Sequence, residues 1–258
     1  MFFAEVDLTV WAYVAAFVVV FLAQMYGAVA SGDGLIIQPI LVALGVPANA
    51  AMANDTTGSA FAGFSSAWVY YKNGLLSFNT LLWWAPGIIL GPIAGAILLA
   101  YLPLIALDIL IVASSIAGAA YFLLRRKSKT QTSKVGTSIN RLCSVIFGFI
   151  VGFLTGLGLG GVGIITKMLL IASGLDIKRA SAISSVIGTV PIFPAFFAYL
   201  VAGLISPLLL LVISVAFATG SYVGSHIVIR MDTALLERIF MVSTILISIF
   251  ILAMKFIG

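Results

Sequence analysis

Eight stretches of this chain, 10–30, 48–71, 79–101, 104–124, 141–159, 178–201, 206–229 and 235–257, are each predominantly apolar. Each is close to the roughly 20 residues that a helix needs to cross a bilayer. In hydrocarbon the backbone has no water to bond, so a spanning segment must satisfy its own N–H and C=O groups, and a helix does so within one segment. Only 8% of the 258 residues are charged. A water-facing surface calls for about 25%. The expected fold is therefore an all-α integral membrane protein, multi-pass, in the cell membrane. The first run follows Glu5 and Asp7, with no basic stretch and no A-x-A-like site, and is read as a retained helix rather than a cleaved signal.

Two apolar runs, 34–45 and 163–173, are too short to span. Such segments are usually re-entrant or half-helices. They occupy equivalent places. Offsetting the sequence by 129 residues aligns 27–110 with 156–239 without a gap and leaves 19 of 84 positions identical. Gly27/Gly156, Gly32/Gly161, Gly34/Gly163, Gly45/Gly174, Tyr70/Tyr199, Gly74/Gly203, Gly91/Gly220 and Gly95/Gly224 are among them. The expected organisation is a first transmembrane repeat at 1–124, a basic linker at 125–140 and a second repeat at 141–258.

The formal net charge of +5 invites a nucleic-acid reading, but its distribution argues against one. Arg125, Arg126, Lys127, Lys129, Lys134 and Arg141 crowd one connection, which is the signature of a cytoplasmic loop. With that loop inside, and with each short run returning the chain to the side it left, Lys72, Lys178, Arg179, Arg230 and Arg238 also fall inside. Both termini fall outside. Helix 48–71 and its mate 178–201 then run in opposite directions, so the eight long and two short helices form two inverted-topology repeats. That architecture is typical of secondary transporters, with sites at the repeat interface near the midplane.

The densest motifs are the links before the short helices, Gly27 to Gly34 (GAVASGDG) and Gly156 to Gly163 (GLGLGGVG). Glycine permits positive φ and close approach of a ligand, and a helix N-terminus with free N–H groups suits an anion. Packing through small residues is the competing account. The matched positions of the two links favour a substrate cavity.

The order of long helix, glycine-rich link and short run, then LGVPANAAMANDTTGSAFAGF and YYKNGLLSF, resembles the sulfite exporter TauE/SafE family over nearly the whole chain. The resemblance implies transport of sulfite, sulfonates or related sulfur anions. Asp33 stands where that family usually has glycine, Met168 answers Pro39, and Asp176 replaces a turn proline. A carboxylate at position 33 would repel an anion unless protonated.

The substrate site is expected between the links, at Ser31, Gly32, Gly34, Gly160, Gly161 and Gly163. Gln38 and Lys167, register mates one turn into the short helices, would line it with Asn54, Thr56, Ser184 and Ser185. Lys167 either contacts an anion or pairs with Asp33 or Asp55. Asp33 and Asp55, acids at membrane depth, are candidate proton-coupling sites, since such residues are costly there and face cavities or partners. Asp55 is otherwise a polar clamp. His226 is placed near the interface, Trp11, Trp83 and Trp84 include interfacial anchors, and Asp108 and Glu237 suit helix starts.

A membrane enzyme would need a catalytic constellation. One histidine, one cysteine (Cys143), and neither HExxH nor GxSxG leave little to build with, so no catalytic residue, metal or cofactor is expected. No P-loop is present. A secondary carrier of a small anion accounts for the features, with an anion channel of the same architecture or a carrier of a non-sulfur organic anion as alternatives. The expected partners are that anion and the lipid bilayer, with no nucleic acid. A homo-oligomer is a further candidate assembly.

Overall fold

The computed structural model describes residues 4, 8–76, 78–99, 141–159, 162–172, 174–240 and 242–243. The run 104–124, the basic loop before Arg141, Asp108 and all of 244–257 lie outside the described residues, as do Gly160 and Gly161.

Among the described residues the chain is helical, without strands. Its helices are α1 (Val10–Ala30), α2 (Gly34–Ala43), α3 (Ala48–Lys72), α4 (Phe78–Leu99), α5 (Arg141–Gly156), α6 (Val162–Ala172), α7 (Ile177–Thr189), α8 (Ile192–Val201) and α9 (Pro207–Arg230). A further helical stretch covers 233–240. Among the described residues four segments are long and apolar enough to cross a membrane: Val10–Ala30, Leu81–Leu99, Ile177–Val201 and Pro207–Arg230.

Local chemistry sets the ends. Thr9 caps α1 by accepting from Ala12 N at 3.3 Å. Asp176 caps α7, accepting from Lys178 N at 3.1 Å and Arg179 N at 3.0 Å, so the acid that replaces a turn proline has a helix-starting role. The 178–201 run is broken after Thr189, where Pro191 lacks an N–H and its ring blocks the preceding turn. At the 233–240 helix the start is capped by Asp232, whose Oδ2 accepts from Ala234 N at 2.9 Å. Glu237 sits a turn further in.

The helices start in step across the halves. α2 begins at Gly34 and α6 at Val162, α3 at Ala48 and α7 at Ile177, α4 at Phe78 and α9 at Pro207. Gly45 and Gly174 take φ of 98° and 93°, and Gly74 and Gly203 take 66° and 70°. α1 packs along α9, and α4 along α5.

The α4–α5 contact is built on glycine. A Cβ on Gly91 would meet Phe149 O and Phe153 N, and one on Gly95 would meet Phe153 O and Leu157 N. From the other side, Gly148 abuts Trp84 O, and Gly156 abuts the backbone of Pro92. Backbones that approach this closely gain dispersion contact without needing a hydrophobic drive from lipid. Gly156 therefore ends a packed helix, so the second link loosens only after it, at Gly158 with φ of 72°. Trp84 is fully buried here, its ring 6.4 Å from that of Phe147. It is not an interfacial anchor, whereas Trp11 is largely exposed.

α3 differs from the apolar spanning helices. It is long enough to cross, yet it carries Asn54, Asp55, Thr56, Thr57 and Ser66, all buried. Its neighbours α2, α7, α8 and α9 enclose it, so protein rather than lipid receives those polar groups.

Candidate functional site

α3 and α7 cross where Gly63 leaves no room for a Cβ against Thr189 and Ser185 O. The N-terminal end of α7 lies by the C-terminal end of α3, since Ile177, Ala182 and Tyr70 share one apolar cluster with Leu75 and Leu76. Lys178 Nζ donates to Ile229 O at 3.0 Å, near the end of α9. Lys72, Lys178, Arg179 and Arg230 thus share one end of the molecule.

A cavity of about 180 Å³ opens beside this crossing. Its walls follow one face of each helix: Thr56, Ser59, Ala62, Gly63, Ser66 and Tyr70 on α3, then Ser181, Ser184, Ser185, Gly188 and Thr189 on α7. Gln24, Gly27, Ala28 and Ser31 come from the end of α1. Gly34 of α2 and Val162, Gly163, Thr166 and Lys167 of α6 complete it together with Asp33, Thr155, Leu159 and Ser221. The first turns of both short helices therefore border one space. The open side of Gly163 looks onto Ser31, whose Cβ lies 3.8 Å from where a Cβ of residue 163 would stand.

Several hydroxyls on these walls turn back to their own helix. Ser59 donates to Thr56 O at 2.7 Å, Ser185 to Ala182 O at 2.8 Å, Thr189 to Ser185 O at 2.6 Å and Thr166 to Val162 O at 2.9 Å. This local bonding satisfies the hydroxyl proton within the helix. Ser31 holds φ of 62° and ψ of 169°, a conformation nearly confined to glycine, and its register mate is Gly160.

Of the residues expected from the sequence, Ser31, Asp33, Gly34, Thr56, Gly163, Lys167, Ser184 and Ser185 line the cavity. Gly32, Gln38, Asn54 and Asp55 do not. Gly32 supplies the turn, with φ of 83°. Asn54 bridges two halves of the chain: its Nδ2 donates to Ala50 O at 2.7 Å and to Leu204 O at 3.1 Å, and its Oδ1 accepts from Ser206 N at 3.1 Å. Gln38 Nε2 donates to Asp55 Oδ2 at 2.8 Å and to Gly158 O at 2.7 Å. Asp55 Oδ1 is buried without a hydrogen-bond partner.

The two lining charges do not meet. Asp33 precedes α2 without capping it, and its side chain lies over Gly27, where any Cβ would strike it. Lys167 is 2% exposed; its Nζ reaches Val29 O only at 3.5 Å and stands 5.1 Å from the centre of the Phe240 ring. Among the described residues no ion pair joins Lys167 to an acid. His226 lies apart, one turn before Arg230, with Nδ1 2.9 Å from Tyr222 O.

The sequence reading missed Gln24, Ser66, Thr155, Thr166, Ser181, Thr189 and Ser221. The signal for part of this set was present as small or hydroxyl residues at positions 56, 59, 63 and 66, and again at 181, 185 and 188, each at helical spacing.

Comparison with known proteins agrees with this frame. The family described as sulfite exporter TauE/SafE matches residues 16–251. The chain is 23% identical over 214 residues to the probable membrane transporter protein YdhB of Bacillus subtilis (strain 168), covering 81% of this chain and 86% of that protein. No solved structure matches. With most of its length matched, and with apolar helices enclosing a polar cavity, the chain belongs to the sulfite exporter TauE/SafE family of membrane transporters.

Proposed function

We propose that the protein is a secondary carrier of a small anion, of the sulfur oxyanion or organosulfonate type, coupled to protons across the cell membrane. One observation carries the reading: a short helix from each half begins at the same polar cavity. Two helix N-termini at one site favour an anion without full buried cations, and Lys167 adds one cation within reach.

On this reading the halves 1–124 and 141–258 are inverted repeats. The step of 128 or 129 residues between matched helix starts supports it, as does the reciprocal packing of α1 on α9 and α5 on α4. A two-fold relation requires such reciprocity. The eight long helices then include the runs at 104–124 and 235–257. The cavity extends along α3 from Thr56 toward the end that bears Lys72. If that basic end is cytoplasmic, the described conformation faces inward, and Asn54 and Gln38 tie the opposite end shut. Ser128→Cys in the basic linker is then expected to resist a membrane-impermeant thiol reagent in intact cells. Labelling from outside would reverse the topology.

The substrate site is tested by calorimetric binding of sulfite and of ethanesulfonate to the purified protein. Lys167→Ala removes a charged donor, worth about 1.5–3 kcal/mol or roughly 10- to 100-fold in affinity. Gly163→Val, facing Ser31, is expected to abolish binding by filling the gap between the links. Wild-type affinity in both folded variants would leave packing as the account of the glycines. Saturable, gradient-driven flux in proteoliposomes distinguishes the carrier from a pore.

A further inference from the structure

The cavity holds a cation and an acid that do not neutralise each other. Lys167 has three donor protons, and its contacts are one carbonyl at 3.5 Å and a ring face. Among the described residues Asp33 forms no ion pair with Lys167. On the acid's side stands an unmet acceptor. Gln24 lies one turn before Gly27 on α1, on the face over which Asp33 folds; it is 7% exposed, lines the cavity, and its Oε1 has no hydrogen-bond partner. One wall thus offers an acidic and an amide oxygen, while Lys167 and the start of α6 offer donors.

A simple anion would satisfy only the second set and would face Asp33 unscreened. A solute with both charges pairs each lining charge and enters with no net charge of its own, so it supplies counter-charges to two groups that lack an ion pair and are costly at membrane depth. We infer that the site takes a small zwitterion, with its ammonium held by Asp33 and Gln24 and its oxyanion by Lys167. The inference rests on the carrier reading above and narrows its substrate class to amino-substituted oxyanions such as an aminosulfonate.

The test is calorimetry on the full chain in detergent with four probes: 2-aminoethanesulfonate, ethanesulfonate, 3-aminopropanoate and ethylamine. In the wild type, the aminosulfonate is expected to bind at least about tenfold more tightly than ethanesulfonate, as one charge-assisted contact contributes. Ethylamine is expected to bind weakly. Asp33→Asn should erase the preference by weakening only the amino probes, and Gln24→Met should reduce it. Tight binding of 3-aminopropanoate would support the zwitterion and assign its oxyanion as a carboxylate. Equal or tighter binding of ethanesulfonate by the wild type, a comparison that needs no variant, overturns the zwitterion and leaves the anion carrier standing. Absence of binding by all four, with the protein folded, overturns both.

Discussion

Asp55→Asn is expected to abolish pH-driven transport in proteoliposomes while leaving substrate exchange between equal pools partly intact. Asp55 lies off the cavity, with Oδ2 bonded to Gln38 and Oδ1 buried and unmet. A carboxylate only accepts hydrogen bonds, whereas the protonated group also donates. Taking up a proton therefore changes what Gln38 can bond, and Gln38 also holds Gly158 O at 2.7 Å. Protonation at α3 is in this way tied to the link before α6, one wall of the cavity. Asparagine keeps an acceptor oxygen for Gln38 but cannot titrate, so it separates coupling from clamping. Gln38→Leu should weaken both. If pH dependence is unchanged even in the double variant Asp33→Asn/Asp55→Asn, neither acid exchanges the driving proton.

Gly91→Val should cost about 3 kcal/mol or more, the upper range for forcing volume into a packed contact. It is read as a lowered thermal midpoint in detergent. The added atoms would stand against Phe149 O and Phe153 N, backbone that no side-chain rotation can move aside. Gly188→Ala is the contrast. Nothing lies within 4 Å of a Cβ there, so stability should stay within about 0.5 kcal/mol even though the residue lines the cavity. A Gly91 variant as stable as wild type would mean that α4 and α5 can separate without loss.

These two glycines mark where sequence reading ends. Gly91 and Gly188 are both single glycines within helical runs of the chain. The matched pairs Gly91/Gly220 and Gly95/Gly224 carry the internal alignment, yet their work is packing: Gly220 meets Phe21 O, and Gly224 meets Ala28. Gly27 and Gly156 are mates as well, but one makes room for Asp33 and the other for Pro92.

What the chain alone determined was local. Apolar length specifies helices in lipid, since no other open segment can satisfy its backbone there. α1, α4 and α9 follow it, and α2 and α6 are as short as their runs. Glycine marks the turns at Gly45 and Gly174 because backbone angles are properties of single residues. The resemblance to the TauE/SafE family likewise rested on the order of such local motifs. Only the tertiary structure decided which polar residues face the cavity. Asn54, Asp55 and Thr56 are consecutive on α3, so successive side chains point about 100° apart. Asn54 meets the 204–206 turn, Asp55 meets Gln38, and Thr56 meets the cavity. Asn54 depends on partners 150 and 152 residues on, and Asp55 on a separate helix 17 residues back, and no local pattern in the chain encodes these pairings.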